Sequence, residues 1–203
     1  MVITISREYG SGGRFVGRKL AEELEIPFYD REIIQEASNV SGLAPEFIEN
    51  ADEQKPRSFL FDIATGLYSA SGVYTPPPAD KAFFAQAEAI RKFASQGSCV
   101  IVGRCADYIL KDSGPKVFSV FIHADREDRV KHIVKYYDIP AGKADDYLSK
   151  VDRKRSSYRR YYTGDAWDMA SPFDLTINMS TFDIDEAVAV IKAAALAPKR
   201  IKD

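Results

Sequence analysis

Residues 6–14 read Ser6-Arg7-Glu8-Tyr9-Gly10-Ser11-Gly12-Gly13-Arg14, a glycine-rich segment between a β-branched run and a stretch with helical spacing. A strand, a glycine loop and a helix N-terminus in that order aim several backbone N–H groups and the positive end of a helix dipole at one point. That arrangement binds phosphate. Glycine suits it because side chains would block close backbone approach to an anion and because some loop residues take positive φ. The expected cofactor-binding residues are Gly10, Ser11, Gly12, Gly13 and Arg14.

The segment departs from the Walker pattern G-x-x-x-x-G-K-[ST]. In the register set by the strand end, Arg7 stands at the first glycine, Gly12 at the second, Gly13 at the lysine and Arg14 at the hydroxyl residue. A P-loop lysine reaches the β- and γ-phosphates and the hydroxyl holds magnesium. Here Arg14 or Arg7 supplies the charge, and Ser11 is the candidate hydroxyl. A register from Gly12 to Gly17, followed by Arg18-Lys19, fits the letters but begins too far from the strand.

More cations fall where a phosphoryl group needs them. Arg104 follows an apolar run through Gly103, and its fork of donors suits a pair of phosphate oxygens; a salt bridge to a helix end is the plainer alternative. Residues 150–160 carry six cations (Lys150, Arg153, Lys154, Arg155, Arg159, Arg160) against one acid, Asp152. Arg155 and Arg159 share a helical face, and Asp152 lies one turn before Arg155. Phosphoryl transfer develops charge on three equatorial oxygens, and arginines that close over them stabilise it and exclude water. A solvated basic helix or an RNA contact are the plainer readings. His123 and His132 are read as structural, because a loose transition state needs positioning and charge more than a strong base. Trp167, Tyr158, Tyr161 and Tyr162 are read mainly as packing.

These groups need a scaffold, and the periodicity supplies one. Val2–Ile5 and Cys99–Val102 are continuous apolar runs, as is 117–122, and each reads as a buried strand; Phe28-Tyr29 and Leu175–Ile177 are shorter ones. Val16, Leu20 and Leu24 mark an amphipathic helix from Arg14 to about Ile26-Pro27. Asp30 is placed to cap a helix containing Ile33, Ile34 and Ala37. Leu43, Phe47 and Ile48 predict a small helix, and Phe59, Leu60, Ile63 and Leu67 another. Gly72 to Pro78 reads as a stiff extended loop, either a surface connection or a moving clamp. Asp80 opens a long helix stopped by Gln96-Gly97; helices follow over 126–137, 143–162 and 185–196. Alternating strands and helices define an α/β fold, a mostly parallel sheet of about five strands with helices on both faces. Ligands bind beyond the carboxyl ends of such strands.

The composition leaves room for this and excludes other classes. The chain has 203 residues, Lys+Arg 28 against Asp+Glu 30, and a net charge of -2, so a basic site must be local and a broadly cationic nucleic-acid coat is excluded. At 29% charged and 12% aromatic residues it is not a disordered chain. Cys99 and Cys105 suit a reducing compartment, and neither a signal peptide nor a membrane helix is legible, so a cytoplasmic protein is expected.

Taken together, 2–14, then Phe28-Tyr29-Asp30-Arg31, then 100–104 (Val-Ile-Val-Gly-Arg), then Tyr161-Tyr162-Thr163-Gly164 with Trp167, resemble the cytidylate kinase-like family. That family is similar to the nucleoside monophosphate kinases. The resemblance implies a single domain, 1–203, with the P-loop nucleoside-triphosphate hydrolase fold, a substrate-binding insertion at about 31–96 and an arginine-rich lid at about 138–165. Cytidylate kinases carry Gly-Arg-Asp after the third core strand; here Gly103-Arg104 is followed by Cys105. Their arginine after the fourth strand is similar to Arg129, their lid arginines fall among Arg153, Arg155 and Arg159, and His123 stands at their strand-end aspartate.

The implied activity is a kinase using ATP and Mg2+ that moves the γ-phosphoryl to a nucleoside monophosphate, CMP-like, or to another small acceptor. Arg14, Arg129, Arg153, Arg155 and Arg159 would be catalytic, and Asp30, Arg31 and Arg104 would place the acceptor. Magnesium ligands and oligomeric state stay unassigned. The competing expectation is a catalytically weak module that binds or senses a nucleotide on a kinase scaffold, because Gly13 stands at the lysine position. A basic lid holding RNA is a third.

Overall fold

The structure, a computed structural model, describes residues 1–51, 76–167 and 170–197. Five strands form one parallel sheet in the order β2-β3-β1-β4-β5, with β1 (Val2–Arg7) central, β3 (Cys99–Val102) and β2 (Phe28–Tyr29) on one side, and β4 (Val117–His123) and β5 (Leu175–Asn178) on the other. The apolar runs become strands because both faces are covered. On one face Ile3, Ile5, Val100 and Val120 pack against Val16 and Leu20 of α1 (Gly13–Glu23) and Val188 and Ile191 of the last helix, α8 (Ile184–Leu196). On the other, Val2, Cys99 and Ile101 pack against α2 (Glu32–Ser41), α3 (Pro45–Ala51) and α4 (Pro78–Ser95). Each fully buried aliphatic chain contributes about 1.5–3 kcal/mol. Asp183 and Glu186 close a capping box at the start of α8, worth about 1 kcal/mol.

Three helices crown the carboxyl ends of the strands: α5 (Ala106–Leu110), α6 (Arg126–Tyr136) and α7 (Ala141–Thr163). Several expectations change here. Asp30 does not cap α2, which begins after Arg31 with no side-chain cap, because the Asp30 carboxylate turns to two arginines instead. The long helix starts at Pro78 rather than at Asp80, since proline fits a first helical position that has no partner for an N–H. α5 was not foreseen. The second small helix expected around Phe59–Leu67, and residues 72–75 of the proline loop, lie outside the described residues. Cys99 and Cys105 are buried thiols, and burial pushes the Cys99 thiol up to about 11. No described helix is long and apolar enough to cross a membrane.

Candidate active site

Beyond Arg7 the chain folds back over the start of α1. The Ser11 hydroxyl is buried, 3.0 and 3.2 Å from the carbonyls of Glu8 and Ile122, which share its one proton, so it locks the loop to β4 and does not line the cleft. Gly10 (φ 76) lies hard against α6: a Cβ there would stand 2.8 Å from Ile133 Cγ2 and 3.0 Å from the Arg129 carbonyl. Gly12 (φ 81) is the N-cap of α1. Among the described residues the N–H groups of Gly12, Gly13 and Arg14 meet no acceptor, and all three line a cleft of about 420 Å³. Free first-turn donors with the helix dipole behind them make an anion site.

The loop is braced by side chains of two helices. Asp152 of α7 accepts from Tyr9 N–H at 2.8 Å, and its other oxygen takes the Arg129 guanidinium at 2.7 Å. The same Arg129 nitrogen lies 3.1 Å from Glu8 Oε2, which also accepts from Ala124 N–H. Arg129 is therefore a buried clamp under the loop and does not line the cleft. The Tyr9 ring packs between Tyr137 and Tyr147, and burial with those phenols pushes its hydroxyl to about 12. It stays protonated at neutral pH and serves as packing. His132 sits 3.9 Å from where a Cβ on Gly12 would be, and burial pulls its imidazole below the ordinary range, so it is a neutral neighbour of the loop.

The opposite wall comes from the ends of β2 and β3. The buried Asp30 carboxylate has Arg14 Nε at 2.8 Å on one oxygen and Arg104 Nη1 at 3.6 Å from the other, and Arg104 Nη1 also donates to the Asp30 carbonyl at 3.0 Å. Gly103, Arg104 and Cys105 are left-handed in succession, φ 81, 53 and 53, and this turn swings Arg104 back to Asp30. Two non-glycine residues held there store strain, which the surrounding contacts must offset. Arg31 is exposed at the rim.

α7 roofs the cleft. Arg155 donates to the Arg7 carbonyl at 3.1 Å and lies over the Tyr9 ring, and burial lowers its guanidinium pKa. It forms no ion pair among the described residues. Arg159, one turn on, is bidentate to Asp107 at 3.0 and 2.8 Å, with side-chain exposures of 3% and 7%. Arg153 is exposed and outside the cleft. Trp167 packs edge-on to Phe121.

The fold thus gathers Gly10, Gly12, Gly13, Arg14, Asp30, Arg31, Arg104, Arg155 and Arg159 around one cavity. Ser11 and Arg129 support it from behind, and Arg153 stands apart. Sequence reasoning missed Glu8 and Asp107, while Asp152 was noted only as a helix neighbour of Arg155; each acid acts on an arginine remote in sequence, and no spacing announces such a pair. The donors fit a polyphosphate. Among the described residues no three His, Cys, Asp or Glu side chains gather as a metal cage. A divalent ion here fits the magnesium habit of binding phosphate oxygens, water and one or two carboxylates, for which Glu8 and Asp30 line the cleft.

The cytidylate kinase-like family profile matches residues 2–181. The crystal structure of an uncharacterized protein from Eubacterium ventriosum is 28% identical, with a TM-score of 0.71 over 97% of this chain and 99% of that one. Shikimate kinase from Bacteroides thetaiotaomicron is 11% identical, with a TM-score of 0.55 over 96% of this chain and 98% of that one. Shikimate kinase from Acinetobacter baumannii, in complex with shikimate, is 15% identical, with a TM-score of 0.52 over 96% and 92%. At 11% and 15% the likeness is one of fold. No curated protein matches the chain. With a parallel sheet in this order, a glycine loop on its central strand and a family match over most of its length, the chain has the P-loop kinase fold and belongs to the cytidylate kinase-like family.

Proposed function

We propose that this protein is an ATP- and Mg2+-dependent phosphotransferase that moves the γ-phosphoryl group to a nucleoside monophosphate, CMP-like, or to another small acceptor, in the cytoplasm. The observation that carries this reading is the convergence, in one cleft, of loop N–H groups unpartnered among the described residues, Arg155 from the roof and the Asp30–Arg104 pair from the opposite wall. The backbone from Gly10 to Arg14 cradles the donor phosphates. Asp30, Arg31 and Arg104 orient the acceptor, with 31–96 as its binding insertion. The segment 138–165 is the lid, and Arg155 is its residue placed to touch the transferring group. Arg129 and Arg159 act through what they hold, the loop and α7, rather than by contact. Magnesium, when bound with the donor, neutralises charge on the bridging phosphate oxygens.

A second reading keeps one specific observation in its favour: Gly13 occupies the lysine position, which suits a nucleotide-sensing module without turnover. Purified protein with ATP and magnesium, offered each common nucleoside monophosphate and a set of small alcohols, is expected to phosphorylate at least one acceptor above background. The shikimate complex is the reason alcohols belong in the panel. Tight nucleotide binding by calorimetry with no product from any acceptor would favour the sensor instead.

A further inference from the structure

The cleft has the anion-binding backbone of a P-loop but a glycine where the loop's cation belongs, and four basic side chains lie close enough in sequence to replace it. Arg14 is on Asp30, Arg18 lies over the Phe28 ring at 5.4 Å, and Lys19 reaches Asp185 near the start of α8. Arg7 takes a different course. A Cβ on Gly13 would stand 2.8 Å from the Arg7 Cβ and 3.3 Å from its Cγ, with Ile122 Cβ at 3.2 Å, so Arg7 fills most of the volume that a side chain at 13 would need. Its guanidinium lies against Gly103, where any Cβ would overlap it. The side chain therefore runs along the cleft floor, from the crook of the glycine loop to the carboxyl end of β3, where Arg104 meets Asp30. Its own carbonyl receives the Arg155 guanidinium.

We propose that Arg7 is the donor-phosphate cation of this site, with cation and glycine interchanged between positions 7 and 13 relative to the Walker arrangement. The inference rests on the phosphotransferase reading for its catalytic consequence and on the cleft alone for its binding consequence. An interchange accounts for both departures at once: a side chain on the strand at 7 requires glycine at the helix start, and the Arg7 guanidinium requires Gly103 opposite. A guanidinium reaching from the strand presents a two-pronged donor at the boundary between the loop and the acceptor wall, where a lysine would present a point charge.

Calorimetric titration with inorganic tripolyphosphate and with adenosine tests this. Arg7→Gln is expected to weaken tripolyphosphate about 10- to 100-fold, the loss of one charge-assisted contact, and to leave adenosine unchanged. Arg7→Lys, which keeps the charge, retains affinity within about tenfold and serves as the comparison if the glutamine variant does not melt cooperatively. Gly13→Lys alone is expected to bind poorly because of the overlap with Arg7, whereas Gly13→Lys combined with Arg7→Gly regains affinity over Arg7→Gly alone. Wild-type tripolyphosphate affinity in both Arg7→Gln and Arg7→Lys, or a double variant no better than Arg7→Gly, overturns the inference. Wild-type protein that binds no tripolyphosphate overturns it together with the donor site. Binding without turnover overturns only the phosphotransferase, since the variants' affinities decide the role of Arg7 by themselves.

Discussion

Two neighbouring turns of α7 carry arginines of the same type on the same face and use them in opposite ways. Arg159 is sunk against Asp107, with both prongs of its guanidinium satisfied and the Phe173 ring 4.9 Å away. Arg155 meets a backbone carbonyl and an aromatic ring, keeps donors to spare, and lines the cavity. What separates them is the presence of an acid on the facing element. A desolvated arginine with a bidentate carboxylate is an anchor, because withdrawing it would leave both charges buried. One whose direct partners among the described residues are a backbone carbonyl and a ring keeps its charge available to an arriving anion. Spacing along a helix therefore says which arginines can reach a cleft, and the partner decides which of them can act there.

The contrast breaks most readily at Asp107. Asp107→Ala leaves the buried Arg159 guanidinium with only the half-exposed Asp165, 3.6 Å away, and is expected to cost about 3–5 kcal/mol of unfolding free energy in urea. Adding Arg159→Met to Asp107→Leu should recover part of that, since a matched apolar pair removes the orphaned charge. Should the single variant melt like wild type, Arg159 is no anchor. Arg155→Ala sharpens the other half: phosphoryl transfer falls about a hundred- to a thousandfold while stability moves by less than about 1 kcal/mol. Equal damage to both quantities would make Arg155 structural. Smallest is Arg153→Ala, on the solvent side of the same helix, expected within about 0.5 kcal/mol in stability and without effect on turnover. A large loss of activity there would mean that α7 docks in another rotation when substrate is bound.

The strands were legible because a parallel strand covered on both faces is a continuous apolar run, as Cys99–Val102 is. The glycine loop was legible because strand, glycines and amphipathic helix follow one another without a gap. α5 was not: Ala106–Leu110 is too short to display a period, and it starts from the left-handed Arg104 and Cys105, residue types that do not advertise such a backbone. The acids that sort the arginines were hidden for another reason. Asp107 lies 52 residues from Arg159, and Asp152 lies 143 from the Tyr9 N–H it holds. Asp30 could be flagged as a strand-end acid, yet its capping role failed because two guanidinium groups outcompeted one backbone N–H for its oxygens.

Asp152 carries one more consequence. It hangs from the roofing helix, yet it receives a backbone hydrogen bond from the loop and a guanidinium from beneath it. Lifting α7 strips the loop of an acceptor and leaves Arg129 with Glu8 alone. If α7 lifts when the cleft opens, helix and loop would share one coupling free energy, and reciprocity would apply: whatever factor phosphate in the loop contributed to holding the helix down, the seated helix would contribute to holding the phosphate.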